Sequence, residues 1–232
     1  MSEVHARLTW DGTGERYYHT GVKQGVLYVQ ASNGTYPKGV AWNGLTSVNA
    51  TPDGAEPTDL WADNIKYASF RSAETFGGSI SAYTWPDEWN ECDGFAHPTG
   101  LEGMNIGQQP RKVFGFCYRT EVGDDSHPAE TTGAGYILHI VYGATASPSD
   151  RENTTINDSP DAVEFSWDFE TTPIAITTAV ANAKPTSYIE LDSRKLGTAK
   201  MTAIENILYG STSADAMLPT PDSIASTLAA VT

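Results

Sequence analysis

The chain is short of positive charge, of cysteine and of long apolar runs, and each shortage closes off a class of function. Fourteen Lys and Arg stand against 29 Asp and Glu, a formal charge of −15 at pH 7 over 232 residues. A balance of that sign repels nucleic acid and anionic lipid, so no phosphate-gripping surface is expected. The two cysteines, Cys92 and Cys117, fall in different expected elements without the paired spacing of a zinc or redox site, and read as reduced thiols. No stretch approaches the roughly 18 apolar residues that span a bilayer. The opening Met1-Ser2-Glu3-Val4-His5-Ala6-Arg7 lacks the apolar run of a signal peptide, so a cytosolic chain is expected. The glycosylation triplets at Asn33, Asn49 and Asn153 then have no route to modification.

Catalytic signatures are missing as well. The five histidines, His5, His19, His97, His127 and His139, lie far apart, and none has a second His or Cys at a metal spacing. No serine sits in a strand-turn-helix elbow, and no glycine-rich loop opens a helix to cradle phosphate. Asp124 and Asp125 with Asp150 lack the graded oxygen ligands of a calcium loop. Glu88 with Glu91, and Asp168 with Glu170, come nearest to the carboxylate pair of a glycosidase. Carboxylates two apart on one strand face are, however, what solvated surface looks like in an acidic chain. No catalytic residue, metal ligand or cofactor is expected.

What the chain does have is 39% hydrophobic residues, 21 Gly and 13 Pro, the mix of a β-rich globular domain, read here as a single unit over 1–232. Strands are expected over 25–30, 40–48, 65–70, 79–84, 113–122, 136–144, 162–171 and 187–191. The best of them alternates Val163, Phe165, Trp167 and Phe169 with Glu164, Ser166, Asp168 and Glu170. The segments 113–122 and 136–144 are expected to pair as a hairpin with a long tip. Gly77-Gly78 marks a bulge or a close backbone approach. A helical turn is expected over 86–92 and one amphipathic helix over 198–210, with Thr198 as N-cap, Met201, Ile204, Ile207 and Leu208 on one face, and Gly210 to end it. The alternation stops over 49–64, read as a long acidic loop whose Leu60 and Trp61 invite docking. Asn49-Ala50-Thr51-Pro52-Asp53 and Asn157-Asp158-Ser159-Pro160-Asp161 echo each other as two similar turns.

More specific strings run along nearly the whole chain: Trp10-Asp11-Gly12-Thr13-Gly14-Glu15-Arg16-Tyr17-Tyr18, Tyr36-Pro37-Lys38-Gly39-Val40-Ala41-Trp42-Asn43-Gly44-Leu45, Ala62-Asp63-Asn64-Ile65-Lys66-Tyr67, Tyr83-Thr84-Trp85-Pro86-Asp87-Glu88, Tyr142-Gly143-Ala144 and Ile207-Leu208-Tyr209-Gly210. They resemble the major tail proteins, or tail tube proteins, of siphophages. The resemblance implies a mainly β fold, an antiparallel β-sandwich or barrel with one flanking α-helix, long inter-strand loops and terminal arms over 1–22 and 211–232. It also implies hexameric rings stacked into a hollow tube through which DNA passes without specific binding. The expected partners are further copies of the chain, the tape measure protein and other tail proteins, with no membrane. The expected location is the virion, after assembly in the host cytoplasm. Trp10, Tyr17, Tyr18, Asp59, Leu60, Trp61, Asp63 and Leu218 are the expected subunit-contact residues, with the loop over 49–64 stacking ring on ring. The alternative reading is a carbohydrate-binding β-sandwich module that uses exposed members of the six Trp and 11 Tyr as a stacking platform.

Overall fold

The computed structural model describes residues 7–54, 57–71, 74–101, 103–129, 133–153, 155 and 162–231. Ten strands and four helices follow in chain order: β1 (Tyr18–Val29), β2 (Gly39–Trp42), β3 (Leu45–Ala50), β4 (Pro57–Ala62), β5 (Ile65–Arg71), β6 (Gly77–Ala82), α1 (Trp89–Cys92), β7 (Phe114–Gly123), β8 (Gly135–Ala146), β9 (Phe165–Thr171), β10 (Tyr188–Asp192), α2 (Ser193–Leu196), α3 (Thr198–Leu208) and α4 (Pro221–Ala230). Eight strands form one antiparallel sheet in the order β2-β1-β7-β8-β9-β6-β3, with β10 also on β8. The sheet folds over into a sandwich and does not close into a barrel.

Strand β8 makes the fold-over possible, because it belongs to both layers. Residues Ile137 to Val141 pair with β10, whereas Ala144 to Ala146 pair with β9. Between these stretches Gly143 takes φ +63°, and the register with β7 slips between Phe114 and Phe116. Such a bulge bends the strand and re-aims the side chains beyond it. A Cβ at Gly143 would collide with the carbonyl oxygen of Thr172, so two backbones can approach there only around glycine.

Two apolar cores result. Between the layers, Leu27, Phe114, Phe116 and Val141 face Ile80, Trp167 and Phe169, with Trp42 and Trp89 filling the middle. The three indoles lie 4.7 to 5.7 Å apart, tilted or edge-on, as aromatic quadrupoles prefer. On the reverse of β1, β7 and β8, the residues Val26, Tyr28, Cys117, Leu138, Ile140 and Tyr142 pack against Met201, Ile204 and Leu208 of α3 and Ile224 of α4. The Tyr28 hydroxyl donates to the Leu208 carbonyl at 2.6 Å, which ties the end of α3 to the sheet.

Several expectations need correction. The segment 49–64 is no structureless loop: it holds the end of β3 and all of β4, and β4 pairs with β5 as a separate two-stranded sheet. Alternation is unreadable there because every residue of β4 is exposed. Gly197, not Thr198, is the N-cap of α3. The tail over 211–232 is not a loose arm through its described part. Thr220 caps α4 by accepting from the Ser223 N–H, Pro221 sits in the first turn, and Ile224 is buried. Asp222 reaches back to accept from the backbone N–H groups of Thr177, Thr178 and Ala179 and from the Thr177 hydroxyl. These bonds hold its carboxyl well below the usual carboxylate range. The arm expected over 1–22 is likewise part strand, since β1 begins at Tyr18. The second half of the sequence echo, 157–161, lies outside the described residues.

A column of rings crosses the open end of the sandwich. Phe116, Tyr118, His139, Tyr188 and Phe76 stack in succession, with centroids 4.6 to 6.0 Å apart. His139 Nε2 meets the Thr120 hydroxyl at 2.8 Å, and its Nδ1 meets the Tyr188 hydroxyl, which donates on to Glu190 at 2.7 Å. Burial lowers the His139 pKa below its ordinary 6.5, with the Glu190 carboxylate acting against the shift. The folded chain therefore takes up this proton less readily than the unfolded one. Stability from this site is complete above pH 6.5 and declines as pH falls through that value.

Two measurements test these points. Urea unfolding midpoints recorded from about pH 8 down to about pH 5 should fall for the wild type, and His139→Gln should flatten that fall. Gly143→Ala should cost more than about 2 kcal/mol, because its collision adds to the left-handed φ. Gly21→Ala, at φ +67° with open space around it, should cost only about 1 kcal/mol.

Candidate assembly surfaces

The β4–β5 hairpin is built to project. Its two-residue turn, Asp63-Asn64, has φ +51° and +65°, the left-handed pair that matches strand twist in a tight hairpin. The register pairs Thr58 with Phe70, Leu60 with Ala68 and Ala62 with Ile65, all on one face because side chains alternate along a strand. Asp59, Ser69, Trp61 and Lys66 share the other face, and Tyr67 is the extra residue of a bulge between Ala68 and Lys66. Asp59 accepts from the Ser69 hydroxyl at 2.7 Å and pairs with Lys66 at 2.8 Å, which lowers its pKa. The large apolar side chains stay in water: Leu60 is 45% exposed, Trp61 67%, Ile65 63% and Phe70 61%.

A second surface has the opposite character. The inward face of β9, β6 and β3 belongs to the Trp core, and its outward face carries Ser47, Asn49, Ser79, Ser81, Ser166, Asp168 and Glu170, with Thr145 from β8. The short side chains bond across strands, Asn49 to Ser79 at 3.3 Å and Ser81 to Ser166 at 3.2 Å. None of the 14 Lys and Arg falls in β3, β6 or β9. An open recess of about 730 Å³ lies where this face meets the root of the hairpin, beside Asp53, Asp168 and Glu170.

The remaining expected contact residues are scattered. Trp10 is exposed ahead of β1. Tyr17 lies under the Arg194 guanidinium, and the Tyr18 hydroxyl accepts from the Ala129 N–H at 3.1 Å. The Gly14 N–H donates to Asp125, so this stretch rests on the loop after β7. Leu218 is a correction: it is 3% exposed, packed in the helix-side core and hydrogen-bonded through its N–H to the Tyr36 carbonyl, so it offers no outward surface. Ile65, Tyr67 and Phe70 complete the hairpin patch, and reading 49–64 as a loop hid them. The Asp-Asn step between two β-prone runs was the available signal.

Several of the groups considered for chemistry are engaged elsewhere, while Asp168 and Glu170 lie on the outward strand face. Glu91 pairs with Lys112 at 2.7 Å and Glu88 with Lys38 at 3.8 Å. Asp124 accepts from the Ser126 N–H and from the His127 ring. Burial pushes both cysteine thiols up to about 12, far from a nucleophilic thiolate. Trp42, Trp89 and Trp167 are buried and Trp85 packs against them, leaving Trp10 and Trp61 as the exposed indoles, on different elements. Among the described residues no three His, Cys, Asp or Glu come together as a metal site, and no helix is long and apolar enough to cross a membrane.

Among curated proteins none matches the chain. A family model described as phage tail tube protein matches residues 28–210, from the end of β1 to just beyond α3. That span takes in both layers, the hairpin and the packing helix, and the chain belongs to the phage tail tube protein family.

Proposed function

We propose that the protein is the structural subunit of a siphophage tail tube, assembling as hexameric rings that stack into the conduit for genome delivery. It acts without catalysis, in the virion after assembly in the host cytoplasm, alongside the tape measure and other tail proteins. The observation that carries the reading is the projecting hairpin, in a chain whose family builds tubes. A two-stranded ribbon is at best marginally stable in water, and large apolar residues held outward on one are suited to burial in an assembly. The hairpin, in place of the loop read from sequence, is then the ring-to-ring element.

The bore is lined by the outward face of β9, β6 and β3. A wall of hydroxyls and carboxylates without a cation repels phosphates, so DNA slides past it. The reverse of the other layer is filled by α3 and α4, which on this reading face the outside of the tube.

Replacing residues 57–71 by a short turn should leave a folded monomer that forms no tubes in negative-stain microscopy. Normal tubes from that variant would end the assignment of the hairpin. Tubes carrying Asp168→Lys and Glu170→Lys should co-sediment with duplex DNA at low salt and release it steeply as salt rises. Wild-type tubes should not bind DNA, and if they do, this face is not the bore.

A further inference from the structure

We infer that Asp93, Trp85 and Phe95 form a socket for a guanidinium group, and that Arg151 fills it in cis as a reversible latch on the segment between β8 and β9. Arg151 Nη2 donates to Asp93 Oδ2 at 2.5 Å. Its Cζ lies 4.7 Å from the ring centroid of Trp85 and 4.9 Å from that of Phe95. A buried carboxylate beside two aromatic faces selects a flat, weakly hydrated cation, because the carboxylate meets its N–H edge while the rings attract its charge. An ammonium ion is more strongly hydrated and loses more on entering.

The socket is held in shape by residues other than its occupant. Asp93 ends α1 with its N–H on the Trp89 carbonyl at 2.9 Å, and its Oδ2 also accepts from the Trp167 indole at 3.3 Å. Arg111 Nη2 donates to the Asp93 carbonyl at 3.1 Å. Trp85 is fixed by its indole bond to Asn90 and by edge-on contact with Trp167, and the Phe95 N–H donates to the Asn90 carbonyl. The Asp93 side chain is only 6% exposed, and Arg111 stays 3.9 Å from its Oδ1, so Arg151 supplies the charge-assisted bond that such a buried carboxylate requires. The occupant itself is loosely carried, with a side chain 31% exposed. Among the described residues, the last hydrogen bond from this segment to a strand before Arg151 is that of the Ser147 N–H to the Asp168 carbonyl. One side chain thus holds 148–153 to the sandwich, and withdrawing it needs only local opening.

Site-resolved proteolysis tests the latch. Trypsin must take the Arg151 side chain into its own pocket, so the bond before Glu152 should be cut slowly in the folded chain. Asp93→Asn and Arg151→Lys should each speed that cut roughly tenfold or more, relative to a free peptide of the same sequence, with a thermal melt showing that the variant is folded. If Asp93→Asn does not fold, Arg151→Lys carries the measurement. For the socket, methylguanidinium chloride is added to Arg151→Ala and the Trp167 indole N–H resonance is followed. It should shift and saturate in the millimolar range, methylammonium chloride should shift it far less, and the wild type, already filled, should respond to neither. A wild type cut as fast as the folded variants overturns the latch. No shift in Arg151→Ala, or an equal one with methylammonium, overturns the guanidinium socket. No arm reads assembly, so each outcome leaves the tube reading as it stands.

Discussion

The layer formed by β1, β7 and β8 is apolar on both faces, and this one requirement shapes the rest of the molecule. Five consecutive residues of β7, Phe114 to Tyr118, are buried, as are eight consecutive residues of β8, Ile137 to Ala144, Leu138 and Ile140 turning one way while Val141 turns the other. Such a layer needs a cover on each side. One cover is the second layer of strands, brought over by the bend at Gly143. The other is α3 with α4, held down by Tyr28 and by the strap from Tyr36 to Leu218. Once both covers are in place, the outward face of β9, β6 and β3 and the hairpin between β3 and β6 are the extended strand surfaces left free.

These two free surfaces are joined by covalent chain, which links their roles. The hairpin leaves the sandwich at the end of β3 and returns at the start of β6, neighbouring strands of the polar face. Gly78 lets β3 and β6 come close at that root, because a Cβ there would meet the Asn49 carbonyl. The hairpin and the polar wall are thus contiguous along the chain, the one inserted between two strands of the other.

The sequence was legible wherever a residue's environment repeats along the chain. Strand β9 has one side in the core and the other in water, so Trp167 and Phe169 against Asp168 and Glu170 announce it at once. The hairpin of β7 and β8 was readable for the opposite reason, as two apolar runs separated by a polar tip. The region from Asn49 to Asn64 was opaque because β4 is exposed on every residue, and period-two reasoning depends on contrast in burial. Leu60 and Trp61 were still recognisable as misplaced apolar residues, which needs only composition. Leu218 was misjudged for the converse reason. Its burial depends on Tyr36, 182 residues away in the chain, and on the far side of the sheet, contacts that no local pattern encodes. The tail after Gly210 had caps and a proline suited to a helix, but what anchors α4 is Ile224 in a core built by other elements.

The placement of the two cysteines decides how the fold responds to oxidation. Cys92 lies in the core between the layers and Cys117 in the core under the helices, both fully enclosed and with the β1-β7-β8 layer between them. Neither can reach the other or a thiol on another subunit without unfolding. The fold therefore uses no covalent cross-link and cannot acquire an adventitious one. Its cohesion is indifferent to redox potential.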